Sequence, residues 1–110
     1  MDPADLRRLE TVGAQSEFTD GQVLIEHGKH GTGLYVILEG TVVVEAPGGT
    51  RELGPGAFIG ERALLSADGR RTARVRATSD VRVLAVDRSD FERLCAEDPA
   101  FAHRFTDDGE

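Results

Sequence analysis

The sequence predicts a mainly β fold, an eight-stranded antiparallel β-roll (jelly roll) with helices at both ends and one short helix near the middle. The first observation is the spacing of the glycines, which divide residues 18–59 into short runs rich in β-branched and aliphatic side chains. The second is that apolar residues recur at helical spacing only at the chain ends and after Gly60. Short strands joined by tight glycine turns are typical of an antiparallel roll or sandwich.

The first predicted element is a short helix in the segment DPADLRRLETV. Asp2 suits the N-cap and Pro3 the first helical position, where a missing amide hydrogen costs nothing. Leu6, Leu9 and Val12 then follow at helical spacing. The neighbouring pair Arg7–Arg8 is expected on the solvated face of this helix.

The predicted strands lie in glycine-bounded segments of the first half and in two segments of the second half. The segments are FTDGQVLIEHG, GLYVILEG, TVVVEAPGG, TRELGPGAFIG, ARVRAT and VRVLAVD. The last two are joined by a turn at Ser79-Asp80, and Tyr35 and Val44 are expected to line the roll.

Two short helices are predicted after the last strand. Asp87, with Asp90 three residues later, is expected to cap the first, RSDFERLCAE. Its apolar face carries Phe91, Leu94 and Cys95. Asp98-Pro99 begins the second, PAFAHRF, which is expected to end in the acidic tail of residues 106–110.

Composition limits the classes of function. The 110 residues suffice for one domain, which we predict to span residues 1–110, and 20 acidic against 13 basic residues give a net charge of −7. Such an acidic chain lacks the basic face that direct nucleic-acid binding needs. One cysteine, Cys95, allows no internal disulfide, and the apolar runs are too short to cross a bilayer. We therefore expect a cytoplasmic domain without membrane contact.

The segment FIGERALLSADGRRTA, residues 58–73, carries the chemistry. Gly60 permits a positive φ or close approach to a ligand, and the helical turn after it offers unpaired amide hydrogens to an anion. The Arg71 guanidinium suits two phosphate oxygens, whereas Glu61 can only accept hydrogen bonds, as from ribose hydroxyls. These residues predict a small sugar phosphate or nucleotide. The alternative is that Arg71 belongs to a solvated arginine cluster with Arg70, Arg74 and Arg76, and that Glu61 only favours a helix N-terminus.

This segment resembles the phosphate-binding cassette of the cyclic nucleotide-binding domain, which occurs in catabolite activator-type regulators, cyclic-nucleotide-dependent kinases and gated channels. The matching residues are Phe58, Gly60-Glu61, Ala63-Leu64-Leu65 and Arg71-Thr72-Ala73. The likeness covers nearly the whole chain, because further family motifs occur in the same order. They are the first hairpins in FTDGQVLIEHG and GLYVILEGTVVV, the approach LGPGAFIGE, and the closing VRVLAVDRSDFERL.

The resemblance implies a regulatory ligand, cAMP or cGMP, bound by the cassette. Arg71 would pair with the cyclic phosphate, the backbone amides of Ala63 and Thr72 would support it, and Glu61 with the Gly60 backbone would take the ribose 2′-hydroxyl. The complete implied set is Ile59, Gly60, Glu61, Arg62, Ala63, Leu64, Arg71, Thr72 and Ala73.

Two residues leave alternatives open. Arg62 stands where the family usually has an aliphatic residue, and its side chain can point inward or reach out to the phosphate or to Asp68. Thr72 resembles the threonine of cGMP-selective kinase sites, but the catabolite activator has a serine there and uses cAMP. Thr72 also suits a strand without any ligand role. From the sequence we favour cAMP.

The resemblance predicts a sensor module, with the effector domain or partner protein outside this chain and a homodimer as an open option. The alternative is a degenerate member that serves as a protein-interaction scaffold without binding nucleotide.

A cupin-like metal enzyme is a third hypothesis, since His27 and His30 precede Glu39. The two histidines are three residues apart in a glycine-rich turn, and the remaining histidine, His103, lies in the C-terminal helical region. No metal is expected. Cys95 is expected in the core, and no residue pattern indicates an enzyme.

Overall fold

A computed structural model describes residues 1–25, 33–60 and 73–108, with side chains described up to Phe105. Within these residues, eight strands form two four-stranded antiparallel sheets, which confirms the predicted fold class. The first sheet has the order β1 (Ala14–Phe18), β8 (Val81–Asp87), β3 (Gly33–Glu39), β6 (Phe58–Ile59). The second has the order β2 (Val23–Ile25), β7 (Arg74–Ala77), β4 (Val42–Ala46), β5 (Gly49–Leu53). The helices among the described residues are α1 (Pro3–Glu10), α2 (Arg88–Glu97) and α3 (Pro99–Asp108), and the short helix predicted after Gly60 falls on residues outside them.

Strand β1, AQSEF, was not among the predicted strands. It lies at the edge of the first sheet and pairs with β8 from Ala14 opposite Ala85 to Phe18 opposite Val81. Its first four residues are exposed, so the strand has none of the apolar alternation that a half-buried strand shows. The position of β1 is therefore set by its hydrogen-bonded pairing with β8 and not by a buried apolar face.

Successive side chains of the first sheet's two central strands, β3 and β8, alternate between two cores. One core, between the first sheet and the helices, contains Leu9, Leu34, Val36, Leu84, Val86, Phe91, Leu94, Phe101 and Phe105. The other fills the roll between the sheets and contains Ile25, Ile37, Val42, Val44, Ile59, Val75, Ala77, Val81 and Val83. Strands β3 and β8 are buried on both faces, which explains their nearly continuous apolar sequences.

Helix α1 begins as predicted. The Ala4 amide donates to the Asp2 carboxylate at 2.9 Å, and Pro3 is the first helical residue. The predicted N-cap of α2 is correct in its position but not in its hydrogen bond. Asp87 occupies the N-cap position but makes no side-chain capping hydrogen bond. Helix α3 continues to Asp108, beyond the predicted PAFAHRF, and the Asp98 carboxylate accepts from the Ala100 amide at 3.1 Å.

Ion pairs join α1 to the C-terminal helices. Asp5, only 4% exposed, accepts two hydrogen bonds from the Arg104 guanidinium at 2.6 and 2.7 Å. Arg8 donates to Asp98 at 2.8 Å and its guanidinium carbon lies 5.0 Å from the centre of the Phe101 ring. The prediction that Arg8 lies on a solvated face is therefore wrong. The sequence does not reveal its contact with Asp98, because the two residues are 90 positions apart.

The Arg8–Asp98 pair makes stability depend on pH. Desolvation raises the pKa of Asp98, but the hydrogen bonds from Arg8 and from the Phe101 and Ala100 amides outweigh it and lower the pKa below its ordinary value of 3.8. A carboxyl whose folded pKa is depressed stabilises above its unfolded pKa, and this contribution is lost as the pH falls through the folded pKa.

We therefore expect Asp98→Asn, which retains a capping side chain, to lower the melting temperature near neutral pH. The difference in melting temperature between wild type and Asp98→Asn should vanish in acid. Thermal melting of both proteins between about pH 6 and about pH 2 measures this difference. A deficit that is the same at every pH would contradict a role for the Asp98 charge.

Candidate ligand-binding site

The structure describes both ends of the predicted cassette but not its middle. Phe58, Ile59, Gly60 and Ala73 are among the described residues. The other predicted site residues lie outside them, and their roles stay predictions: Glu61, Arg62, Ala63, Leu64, Arg71 and Thr72.

The first end of the cassette leaves the first sheet through β6. In this strand Phe58 pairs with Val36 and Ile59 with Tyr35. Because side chains alternate across a strand, Ile59 enters the core inside the roll, where it is 1% exposed. Phe58 points the opposite way and packs against the helical core.

Gly60 follows directly and is buried, with a φ of 102°. Side chains with a Cβ rarely adopt this conformation, so the position favours glycine, as expected from the sequence.

Backbone hydrogen bonds hold the approach to β6 against β3. The Gly56 amide donates to the Ile37 carbonyl at 2.9 Å, and the Ile37 amide donates to the Ala57 carbonyl at 2.8 Å. Gly56 has a φ of 92°, which again favours glycine. The motif LGPGAFIG therefore fixes the place at which the cassette begins.

The second end of the cassette joins the second sheet. Ala73 is partly buried against the core inside the roll, and β7 follows with Arg74 opposite Glu45 and Val75 opposite Val44. The chain therefore leaves the first sheet after Ile59 and enters the second sheet beside the end of β4. Both ends of the cassette contact the interior of the roll.

An open cavity of about 280 Å³ lies next to this second end, along the β4–β5 hairpin. It is lined by Val44, Ala46, Gly48, Gly49, Thr50 and Arg51. Val44 is 6% exposed and belongs to the core inside the roll, as predicted. Arg51 was not singled out in the sequence, although the alternation of TREL places it on the same face as Leu53.

Part of the arginine cluster has a structural role on the outer face of the second sheet. Arg74 pairs in register with Glu45, and the Arg76 Nε lies 3.5 Å from a Glu45 carboxylate oxygen. Val75, between them, is buried inside the roll. Arg74 and Arg76 therefore lie on the outer face of the second sheet, with Arg76 in an ion pair, and the role of Arg71 stays a prediction.

The candidate catalytic and metal-binding residues form no recognisable site within the described part of the chain. Burial and the nearby Glu92 carboxylate raise the pKa of the Cys95 thiol, against a smaller effect of Arg8, so the reactive thiolate is disfavoured. His27 and His30 lie outside the described residues. Among residues 1–25, 33–60 and 73–108, no three His, Cys, Asp or Glu side chains are grouped as metal ligands. Over the same ranges, the helices are too short or too polar to span a bilayer.

Comparison with known proteins identifies the class. The family model of the cyclic nucleotide-binding domain matches residues 15–98, so it includes the whole predicted cassette. The chain therefore belongs to the cyclic nucleotide-binding domain family, and the resemblance drawn from FIGERALLSADGRRTA is confirmed.

Three similar proteins place the chain within this family. A cyclic nucleotide-gated potassium channel of Mesorhizobium japonicum is 40% identical over 85 residues, covering 77% of this chain and 23% of the channel. A structure from work on a cyclic-GMP-dependent signalling pathway that regulates bacterial phytopathogenesis matches with a TM-score of 0.85 and 31% identity, covering 96% of this chain and 88% of that one. The catabolite activator protein of Thermus thermophilus matches with a TM-score of 0.80 and 28% identity, covering 96% of this chain and 52% of that one.

The chain is much shorter than its curated relatives. It spans about a quarter of the length of the potassium channels that it matches. The relatives therefore carry this domain as one part of a longer protein.

Proposed function

We propose that this chain is a regulatory module, a single domain over residues 1–110, that binds cAMP or cGMP at the cassette of residues 58–73. The observation that carries the proposal is the family match over residues 15–98, a range that includes Gly60, Glu61 and Arg71, on which the resemblance to the cassette rests. Gly60 also has a positive φ, a conformation that glycine adopts readily.

Each cassette residue has a proposed task. The Arg71 guanidinium pairs with two oxygens of the cyclic phosphate, a charge-assisted and bidentate contact. The amides of Ala63 and Thr72 support the phosphate, while Glu61 and the Gly60 backbone take the 2′-hydroxyl of the ribose. Ile59, Arg62, Leu64 and Ala73 complete the binding set.

Glu61 argues for a nucleoside phosphate over a bare anion. An ionised carboxylate has no hydrogen to donate and repels phosphate. A ribose hydroxyl can donate to it, so the ligand must present both an anionic group for Arg71 and a hydroxyl donor for Glu61. A 3′,5′-cyclic ribonucleotide has both.

The described contacts supply a route from the cassette to the terminal helices. The Phe58 ring, just before the cassette, lies 4.6 Å from the Phe105 ring of α3. Arg104 in turn holds Asp5 of α1. A ligand that favours one position of β6 would thereby favour one arrangement of α3 and α1, which is a shift in a two-state equilibrium.

The output is proposed to lie outside this domain. Because the channel relatives are about four times longer than the matched region, we infer an effector domain or a partner protein, in the cytoplasm, with a homodimer open. We propose a binding module with neither catalysis nor a metal cofactor, and no direct contact with nucleic acid or membrane.

Calorimetric titration with cAMP, cGMP and the two noncyclic 5′-monophosphates tests the proposal. We expect saturable binding of one cyclic nucleotide per chain, with much weaker binding of the 5′-monophosphates. No saturable heat from either cyclic nucleotide at millimolar concentration would contradict the proposal and point to a scaffold that binds no nucleotide. Equal binding of the noncyclic nucleotides would contradict recognition of the cyclic phosphate.

A further inference from the structure

Strand β1 has a free edge that can pair with another chain. Among the described strands it pairs with β8 alone, and its first four residues are exposed. The N–H and C=O groups along such an edge can bond to a further strand. Proteins usually protect an edge with proline, lysine or a bulge. The sequence AQSEF contains neither proline nor lysine, and its five residue pairs with β8 run without a register shift.

The other three edges of the two described sheets are protected. Strand β6 has only two residues, and β2 has three, with an irregular register against β7. Strand β5 is as long as β1, but consecutive charges at Arg51 and Glu52 lie on its two faces. The single charge of β1 is Glu17. Of these four edges, β1 is therefore the one best suited to accept a strand.

The end of β1 borders an open cavity of about 430 Å³, which we call the acidic notch. Its charged lining residues are Glu17, Glu39, Asp80 and Arg82. Three carboxylates therefore surround one guanidinium, and near neutral pH the notch has two negative charges in excess. An excess of one sign in a partly enclosed site attracts the opposite charge.

The register of the sheet places these charges in a row. Arg82 of β8 is opposite Glu17 on one side and opposite Glu39 on the other. Its guanidinium forms an ion pair with Glu39. Asp80 accepts a hydrogen bond from the Asp20 amide at 3.2 Å, which leaves its charge unbalanced. The pairing of Arg82 with Glu39 thus leaves the charges of Glu17 and Asp80 for a cation from outside.

The pattern of β1 defines the strand that fits beside it. Side chains alternate across a strand, so one set of partner side chains lies next to Gln15 and Glu17, and the other lies next to Ala14 and Ser16. Arginine or lysine in the first set reaches the acidic notch. The small side chains of Ala14 and Ser16 leave room for the second set.

A second copy of this chain fits this edge poorly. Pairing of β1 with itself would bring two acidic notches together, and each chain has a net charge of −7. Like charges near one another on paired strands are destabilising. Charge complementarity therefore favours a basic partner.

We propose that the edge of β1 and the acidic notch bind an extended segment of a partner protein, which has arginine or lysine at alternate positions and adds a fifth strand to the first sheet. Addition of a strand to an exposed sheet edge is a common mode of peptide recognition. The surface consists of β1, β3, β8 and the turn before β8, and it includes no cassette residue. The inference therefore stands independently of the proposed nucleotide binding.

The test uses two dye-labelled peptides of about eight residues, long enough to cover the strand. One alternates arginine with threonine, and the other alternates arginine with proline, which has the same charge but lacks half of the amide donors. At low ionic strength and without nucleotide, we expect saturable binding of the arginine–threonine peptide and much weaker binding of the arginine–proline peptide. Binding should also slow the hydrogen exchange of the amides in residues 14–18.

Variants of Glu17 test the notch. Glu17→Gln should weaken binding of the arginine–threonine peptide roughly threefold, the scale of one exposed ion pair. Glu17→Lys should weaken it roughly tenfold, because an attraction becomes a repulsion. Glu52→Gln and Glu52→Lys are the matched controls, since they make the same changes at an exposed glutamate on β5, and they should change the affinity less than about twofold.

Four results would overturn the proposal. Equal losses at Glu17 and Glu52 would show a general attraction of the acidic chain for cations. Equal binding of the two peptides, or unchanged hydrogen exchange in residues 14–18, would exclude strand addition. Protection of the same residues in a dimer of the free protein would assign the edge to a second copy.

Discussion

Replacing Phe105 by alanine is expected to lower the free energy of unfolding by about 3–5 kcal/mol, the usual cost of a buried phenylalanine. Phe105 is 2% exposed, and its ring centre lies 4.6 Å from Phe58, 4.7 Å from Phe101 and 5.4 Å from Phe91. Alanine removes the contacts that join α3 both to α2 and to β6, and it leaves a cavity where three rings meet. Urea unfolding measures the loss.

Phe105→Leu is the matched variant. Leucine keeps a large part of the apolar volume, so its loss of stability should be clearly smaller than that of alanine. A loss below about 1 kcal/mol for Phe105→Ala, the level of an average substitution, would mean that α3 does not pack on the rings as described.

Replacing Arg71 by alanine should weaken binding of the cyclic nucleotide at least tenfold. A charge-assisted contact to a phosphate contributes about 1.5–3 kcal/mol, and Arg71 is proposed to make two hydrogen bonds of this kind. The affinity is measured by calorimetric titration with cAMP and with cGMP. Both should weaken by a similar factor, because the phosphate is common to the two ligands.

The chain supplies its own control in the adjacent Arg70. Arg70→Ala removes the same charge one residue away, so it reports the general attraction of the segment for anions, and a loss of less than about threefold is expected for a solvated charge. Equal losses for Arg70→Ala and Arg71→Ala would support the alternative of a solvated arginine cluster.

The fold was largely predictable because its signals are local. Glycines bound most of the strands, and Asp2-Pro3 marks the start of α1. β1 was missed because an exposed edge strand needs no apolar alternation. Arg8 was misjudged because its partner, Asp98, comes close only in the folded chain. Local patterns contain no information on such pairs.

Some features of the candidate site could be predicted from the sequence, and others could not. The sequence allowed a positive φ at Gly60, since glycine tolerates a conformation that other residues avoid. It did not show that Arg51 lies on the same face as Val44, because the face of a strand depends on its register, which here is fixed by the pairing of β5 with β4. The tasks of Glu61 and Arg71 stay predictions.

The most direct test of a nucleotide-binding cassette is thermal melting of wild type and Arg71→Ala, each with and without millimolar cGMP and cAMP. A ligand at a hundred times its dissociation constant stabilises the folded state by about 2.7 kcal/mol. For a domain of this size, this corresponds to a rise of several degrees in melting temperature. We predict this rise in wild type and its loss or marked reduction in Arg71→Ala. An unchanged wild-type melting temperature with both nucleotides, or an equal rise in the variant, would contradict the account.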